Sequence, residues 1–95
     1  MTDALVVSED SGTITIARDV VDRIVRRAAE EVGGVKVRRR GVEVKKGRVT
    51  VDLDVRYGEV LAIVGEEVQA RVAESLRASC GLEPAAVDVS IEELT

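Results

Sequence analysis

The chain contains no histidine, phenylalanine or tryptophan, and only one residue each of tyrosine, cysteine, proline and methionine. Without histidine it lacks the side chain that most often acts as general base, metal ligand or proton switch near neutral pH. Cys80 has no second cysteine for an internal disulfide, so nothing points to an oxidising compartment, and a cytoplasmic location is expected. Tyr57 is the one ring, which removes the set of aromatic faces on which single-stranded nucleic acids or sugars stack. No stretch comes near the roughly 18 consecutive apolar residues of a membrane span, and Met1–Val7 lacks the basic segment of a secretory signal. Direct membrane insertion is therefore not expected, and no residue pattern asks for a cofactor or a metal.

What the chain does contain is valine, isoleucine, leucine and alanine, within a hydrophobic fraction of 45% over 95 residues, enough for one core and not two. Residues 1–11 mix Asp3, Glu9, Asp10 and Ser11 with Leu5-Val6-Val7 and read as a flexible N-terminal tail, with a short extra strand as the alternative. The single domain is placed at residues 12–95. Thr13-Ile14-Thr15-Ile16 is a β-branched strand. From Arg18 to Val32 the apolar positions Val20, Val21, Ile24, Val25, Ala28, Ala29 and Val32 make one helical face. Asp19 and Asp22 precede Arg26 and Arg27, the order the helix dipole favours, and Gly33-Gly34 supplies the stop.

Val35, Val37, Val42 and Val44 alternate with charged residues in one bent strand or two short ones, with Gly41 as a bulge or turn and Lys46-Gly47 as a hairpin turn. In the return strand Val49, Val51, Leu53, Val55 and Tyr57 face one way, and Arg48, Thr50, Asp52, Asp54 and Arg56 the other, so that one sheet face is buried and one is wet. A second helix, running after Gly58 to about Ser79, turns Leu61, Val64, Val68, Val72 and Leu76 inward, and Gly81 ends it. Val87, Val89 and Ile91 alternate in a last strand preceded by Pro84. The order is β-α-β-β-α-β. The expected architecture is an α+β two-layer sandwich with both amphipathic helices on one face of a mainly antiparallel sheet.

Taken in order, several of these pieces resemble the alkaline shock protein family of bacterial envelope stress-response proteins. They are Gly12-Thr13-Ile14-Thr15-Ile16, Val20-Val21, Ala28-Ala29, Glu31-Val32-Gly33-Gly34-Val35, Tyr57-Gly58, Val68-Gln69 with Val72, Gly81-Leu82 and Val87-Asp88-Val89-Ser90-Ile91. The resemblance implies a non-enzymatic cytoplasmic protein that self-associates and contributes to envelope or alkaline stress tolerance. It also implies recruitment to the inner face of the cell membrane through an integral-membrane partner.

The polar residues offer little chemistry. Glu66-Glu67, Asp52 with Asp54, and Glu92-Glu93 fall on faces expected to be wet, without the burial or partner that shifts a carboxylate into catalytic range. Cys80 falls at a helix C-terminus, where the dipole disfavours a thiolate. Gly33-Gly34 has the spacing of neither a phosphate loop nor a KH loop. The chain is therefore read as non-enzymatic.

One polar feature stands out. Lys36, Arg38, Arg39, Arg40, Lys45, Lys46 and Arg48 are seven of the fourteen basic residues, gathered within thirteen positions. Such a cluster can meet the phosphates of nucleic acid or anionic lipid, or it can protect an edge strand. Residues 1–48 carry eleven basic and eight acidic side chains, residues 49–95 three and ten. This asymmetry suggests a homo-oligomer in which the basic hairpin of one copy meets the acidic second helix of another, through Glu66, Glu67 and Glu74. Two functions follow: a self-associating stress-response scaffold, and, as the alternative, a small nucleic-acid-binding module using residues 36–48. The net charge of −4 and the missing rings count against the second.

Overall fold

The structure, a computed structural model, describes residues 5–9 and 11–95; within the first strand the side chain of Val6 alone is described. The elements are β1 (Leu5–Glu9), β2 (Gly12–Ile16), α1 (Arg18–Glu30), β3 (Val35–Lys45), β4 (Arg48–Val55), α2 (Leu61–Cys80) and β5 (Ala86–Leu94). From β2 onward this is the β-α-β-β-α-β order expected from the sequence.

β3, β4 and β5 form one sheet in that order, β3 antiparallel and β5 parallel to β4. The sheet is mixed because the α2 crossover returns β5 beside β4 in the same direction. β2 stands apart from it, pairing with β1 from Leu5 opposite Ile16 to Glu9 opposite Gly12. The tail expected over residues 1–11 is thus a strand between Leu5 and Glu9, where Leu5-Val6-Val7 gives the β-branched β2 a partner; residues 1–4 and 10 lie outside the described residues.

Burial follows the alternation. On β4, Val49, Val51, Leu53 and Val55 are each 0% exposed, and they meet Val37, Val42 and Val44 of β3. Val21, Val25, Ala28 and Ala29 of α1 and Val64, Val68, Val72 and Leu76 of α2 close the core from the same side. Each buried valine or leucine side chain contributes roughly 1.5–3 kcal/mol on burial, and each alanine less. Three residues expected inside are outside: Val20 at 40%, Leu61 at 37% and Tyr57 at 79% exposure. Val20 and Leu61 lie in the first turn of their helices. Tyr57 sits in the turn after β4, so the alternation that buries Val55 ends before reaching it.

Candidate interaction surface

The β3–β4 ladder holds register at both ends and loses it between. Val35 to Val37 lie opposite Val55 to Leu53, and Val42 to Lys45 opposite Val51 to Arg48. The four residues Arg38–Gly41 therefore stand against Asp52 alone, a wide bulge at the point where the sequence predicted one. Gly41 permits it by size: a Cβ there would lie 2.7 Å from the Asp52 carbonyl oxygen and 2.9 Å from that of Arg38.

α1 braces the bulge. Arg26 donates from Nη1 to the carbonyl oxygens of Val37 and Arg38, and from Nη2 to that of Arg39, each at 3.1 Å. Its Nε donates to Asp22, one turn earlier, at 3.3 Å. Glu30 accepts from the Val37 N–H at 2.9 Å. Carbonyls displaced from a regular ladder are thus satisfied by a planar fork of donors. Nothing in the sequence singled out Arg26 or Glu30; both lie on the charged side of α1, and only the tertiary fold brings the bulge to them.

The seven-residue basic cluster divides into two ion-paired arginines, one exposed lysine in the ladder, a pair at the turn and a pair at the bulge. Arg38 turns across the sheet to Asp54 at 2.7 Å, with Glu93 at 3.9 Å, and the hydrogen bond to Asp54 holds its guanidinium pKa above the usual value. Arg48 pairs with Asp88 of β5 at 3.0 Å. Lys36 is exposed opposite Asp54 in the ladder. Lys45 and Lys46 sit at the two-residue turn, where Lys46 and Gly47 take φ of 53° and 77°, the left-handed pair of a type I′ hairpin. Arg39 and Arg40 remain: both are exposed at the bulge, and among the described residues neither side chain has a partner.

The acidic residues divide as well. Asp52 is half-buried beneath the bulge. Burial foremost, then Glu92, pushes its carboxyl above the usual range; Arg38 pulls the other way and Glu43 adds to the rise. On α2, Glu67 and Glu74 border a shallow groove beside the end of α1, floored by Ala70 and Ala78 and shared with Glu31 and Arg71. Arg71 lies 3.7 Å from Glu31, and Glu74 lies 3.3 Å from Arg77, which Glu83 also holds at 2.8 Å. Glu66 lies on another side of the helix, with Leu61, Gly65 and Gln69 toward Val89 and Ile91 of β5.

Apolar surface lies outside the core too. Val6 and Ile14 of the β1–β2 hairpin are 47% and 55% exposed, and Val60 and Ile63, at the start of α2, are 61% and 54%. Cys80 is half-buried against the core, and burial raises its thiol pKa. Among the described residues no group of three or more His, Cys, Asp or Glu is placed to hold a metal ion, and no helix is long and apolar enough to cross a membrane.

The body from α1 to β5 is an αββαβ sandwich, two helices on one face of a mixed three-stranded sheet. The chain is similar to a solved structure of a MamM-CTD variant, at 23% identity and a TM-score of 0.56, over 79% of this chain and 95% of that one. At that identity the likeness is one of fold. No family model matches the sequence, and no curated protein matches it.

Proposed function

We propose that this protein is a non-catalytic, self-associating scaffold of the alkaline shock type, recruited to the inner membrane face by an integral-membrane partner. The observation that supports self-association is the β1–β2 hairpin. Among the described residues its strands pair only with each other, and two of its apolar side chains, Val6 and Ile14, are 47% and 55% exposed, while Ile16 packs partly against the core. A two-stranded hairpin alone in water is marginally stable and needs a covering surface. The envelope role and the membrane partner rest on the sequence resemblance described above.

Sedimentation velocity of the full chain against Ile14→Asp tests the reading. Wild type is expected to sediment as assemblies, and the variant to fall at least several-fold in mean mass without a change in circular dichroism. In the same preparation, wild type is expected to co-float with native bacterial membranes and to lose that binding when the membranes are first treated with protease. A monomeric wild type, or binding to protein-free lipid vesicles alone, overturns the proposal.

A further inference from the structure

We infer that Arg39 and Arg40, on the β3 bulge of one copy, seat in the shallow groove along α2, beside the end of α1, of a second copy, between Glu67 and Glu74. This rests on the self-association proposed above and assigns one of its contacts.

The bulge is a built feature. Its residues Arg38–Gly41 interrupt the ladder, yet the backbone is held by three bonds from Arg26, and one from Val37 to Glu30 anchors its start. Gly41 packs where no side chain fits. Such bulges re-aim side chains. Here Arg38 turns across the exposed face of the sheet to Asp54, leaving Arg39 and Arg40 on a braced tip without a partner among the described residues. A tip fixed in advance loses little backbone entropy on binding.

The groove matches it in charge. Glu31 pairs with Arg71, and Glu74 is shared with Arg77, which Glu83 also holds, so the rim stays net negative with Glu67 as its open carboxylate; the tip offers the guanidinium groups of Arg39 and Arg40. Glu67 has no ion-pair partner among the described residues. Guanidinium forks pair with carboxylates in two parallel hydrogen bonds, and the small Ala70 and Ala78 leave room for the arginine stems. Tip and groove flank α1: Arg26 and Glu30 reach the bulge, while Glu31 faces Arg71 on α2. Among the described residues no ion pair joins the two surfaces within the chain. Because they are different surfaces, the contact is heterologous. Each copy joined through its tip still presents an open groove, which closes a ring or extends a filament.

The test uses four samples of the full chain: wild type, Arg39→Glu with Arg40→Glu, Glu67→Arg with Glu74→Arg, and an equimolar mixture of the two variants. All four substitutions fall on exposed positions, and circular dichroism checks that each variant is folded. In sedimentation velocity, wild-type assemblies are expected to shrink several-fold between roughly 50 and 500 mM salt, as screening shortens the reach of exposed charges. Each variant alone is expected to lose this salt-sensitive assembly. The mixture is expected to regain it, since each reversed tip then meets a reversed groove and each native tip a native groove. A mixture that stays dissociated overturns the inference. Wild-type assembly that neither salt nor either variant changes overturns this contact and leaves self-association standing, whereas a wild type that is monomeric throughout overturns both. Binding of polyuridylate RNA that Arg39→Glu with Arg40→Glu abolishes, with assembly unchanged, assigns the tip to a phosphate polymer instead.

Discussion

Gly41 shows how much of this structure turns on single atoms. The glycine sits in the bulge with the Asp52 carbonyl oxygen 2.7 Å from where a Cβ would stand, a clash with backbone that no rotamer relieves. Gly41→Ala is expected to cost about 1–3 kcal/mol, the range for forcing an added carbon into a filled site, read as a lower urea midpoint with an unchanged slope. A shift under about 0.5 kcal/mol, the range of ordinary surface changes, would mean that β3 and β4 separate easily there. The sequence pointed to Gly41 because a glycine interrupts a valine alternation. It could not distinguish Arg38 from its neighbours, because three consecutive arginines carry no local mark of which one will find Asp54 across the sheet. The same limit applied to Tyr57, which the alternation placed with the buried set but which is 79% exposed because the strand ends at Val55, two residues earlier.

At the scale of elements, the decisive join is between α1 and β3. Arg26 binds three successive carbonyl oxygens from the neighbouring strand. Arg26→Ala leaves these to water and is expected to destabilise by roughly 1–2 kcal/mol, since net hydrogen-bond contributions at a part-exposed site are small. Arg26→Lys is expected to recover less than half of that, because an ammonium is a point donor without the planar fork. Urea titrations of the three proteins check both; a lysine variant as stable as wild type would show that charge alone braces the bulge. The helices and β4 were legible because amphipathic periodicity belongs to each segment by itself. Pairing was less so. Whether β5 runs parallel to β4, and whether β2 joins the sheet, depends on where α2 and α1 deliver the chain, and no residue within β2 or β5 carries that information. The candidate surface was half-legible for the same reason. The charged residues can be named from the sequence, but the division of the basic cluster into ion-paired arginines, a turn and a tip is a property of the assembled sheet.

The whole molecule is longer than its size requires. Its extents are 49 × 23 × 17 Å and its radius of gyration 13.5 Å, against about 12 Å for a compact chain of this length. A slender body with an exposed hairpin and a braced basic tip offers two surfaces, one apolar and one charged, for the self-association proposed above. Salt separates them, since screening weakens the tip and leaves apolar burial in place.

The isolation of β1–β2 has a further consequence for motion. Its backbone hydrogen bonds are made between two strands that share almost nothing with the sheet, so opening them does not require the core to open, and their amide protons are expected to exchange with solvent through local fluctuation. Those of β4, hydrogen-bonded on both edges, exchange only as the whole fold opens. If the hairpin is the surface that self-association covers, its exchange rates should fall as protein concentration rises while those of β4 stay constant. Hydrogen exchange measured across a dilution series would read this directly, and rates at β1 and β2 that ignore concentration would place the covered surface elsewhere.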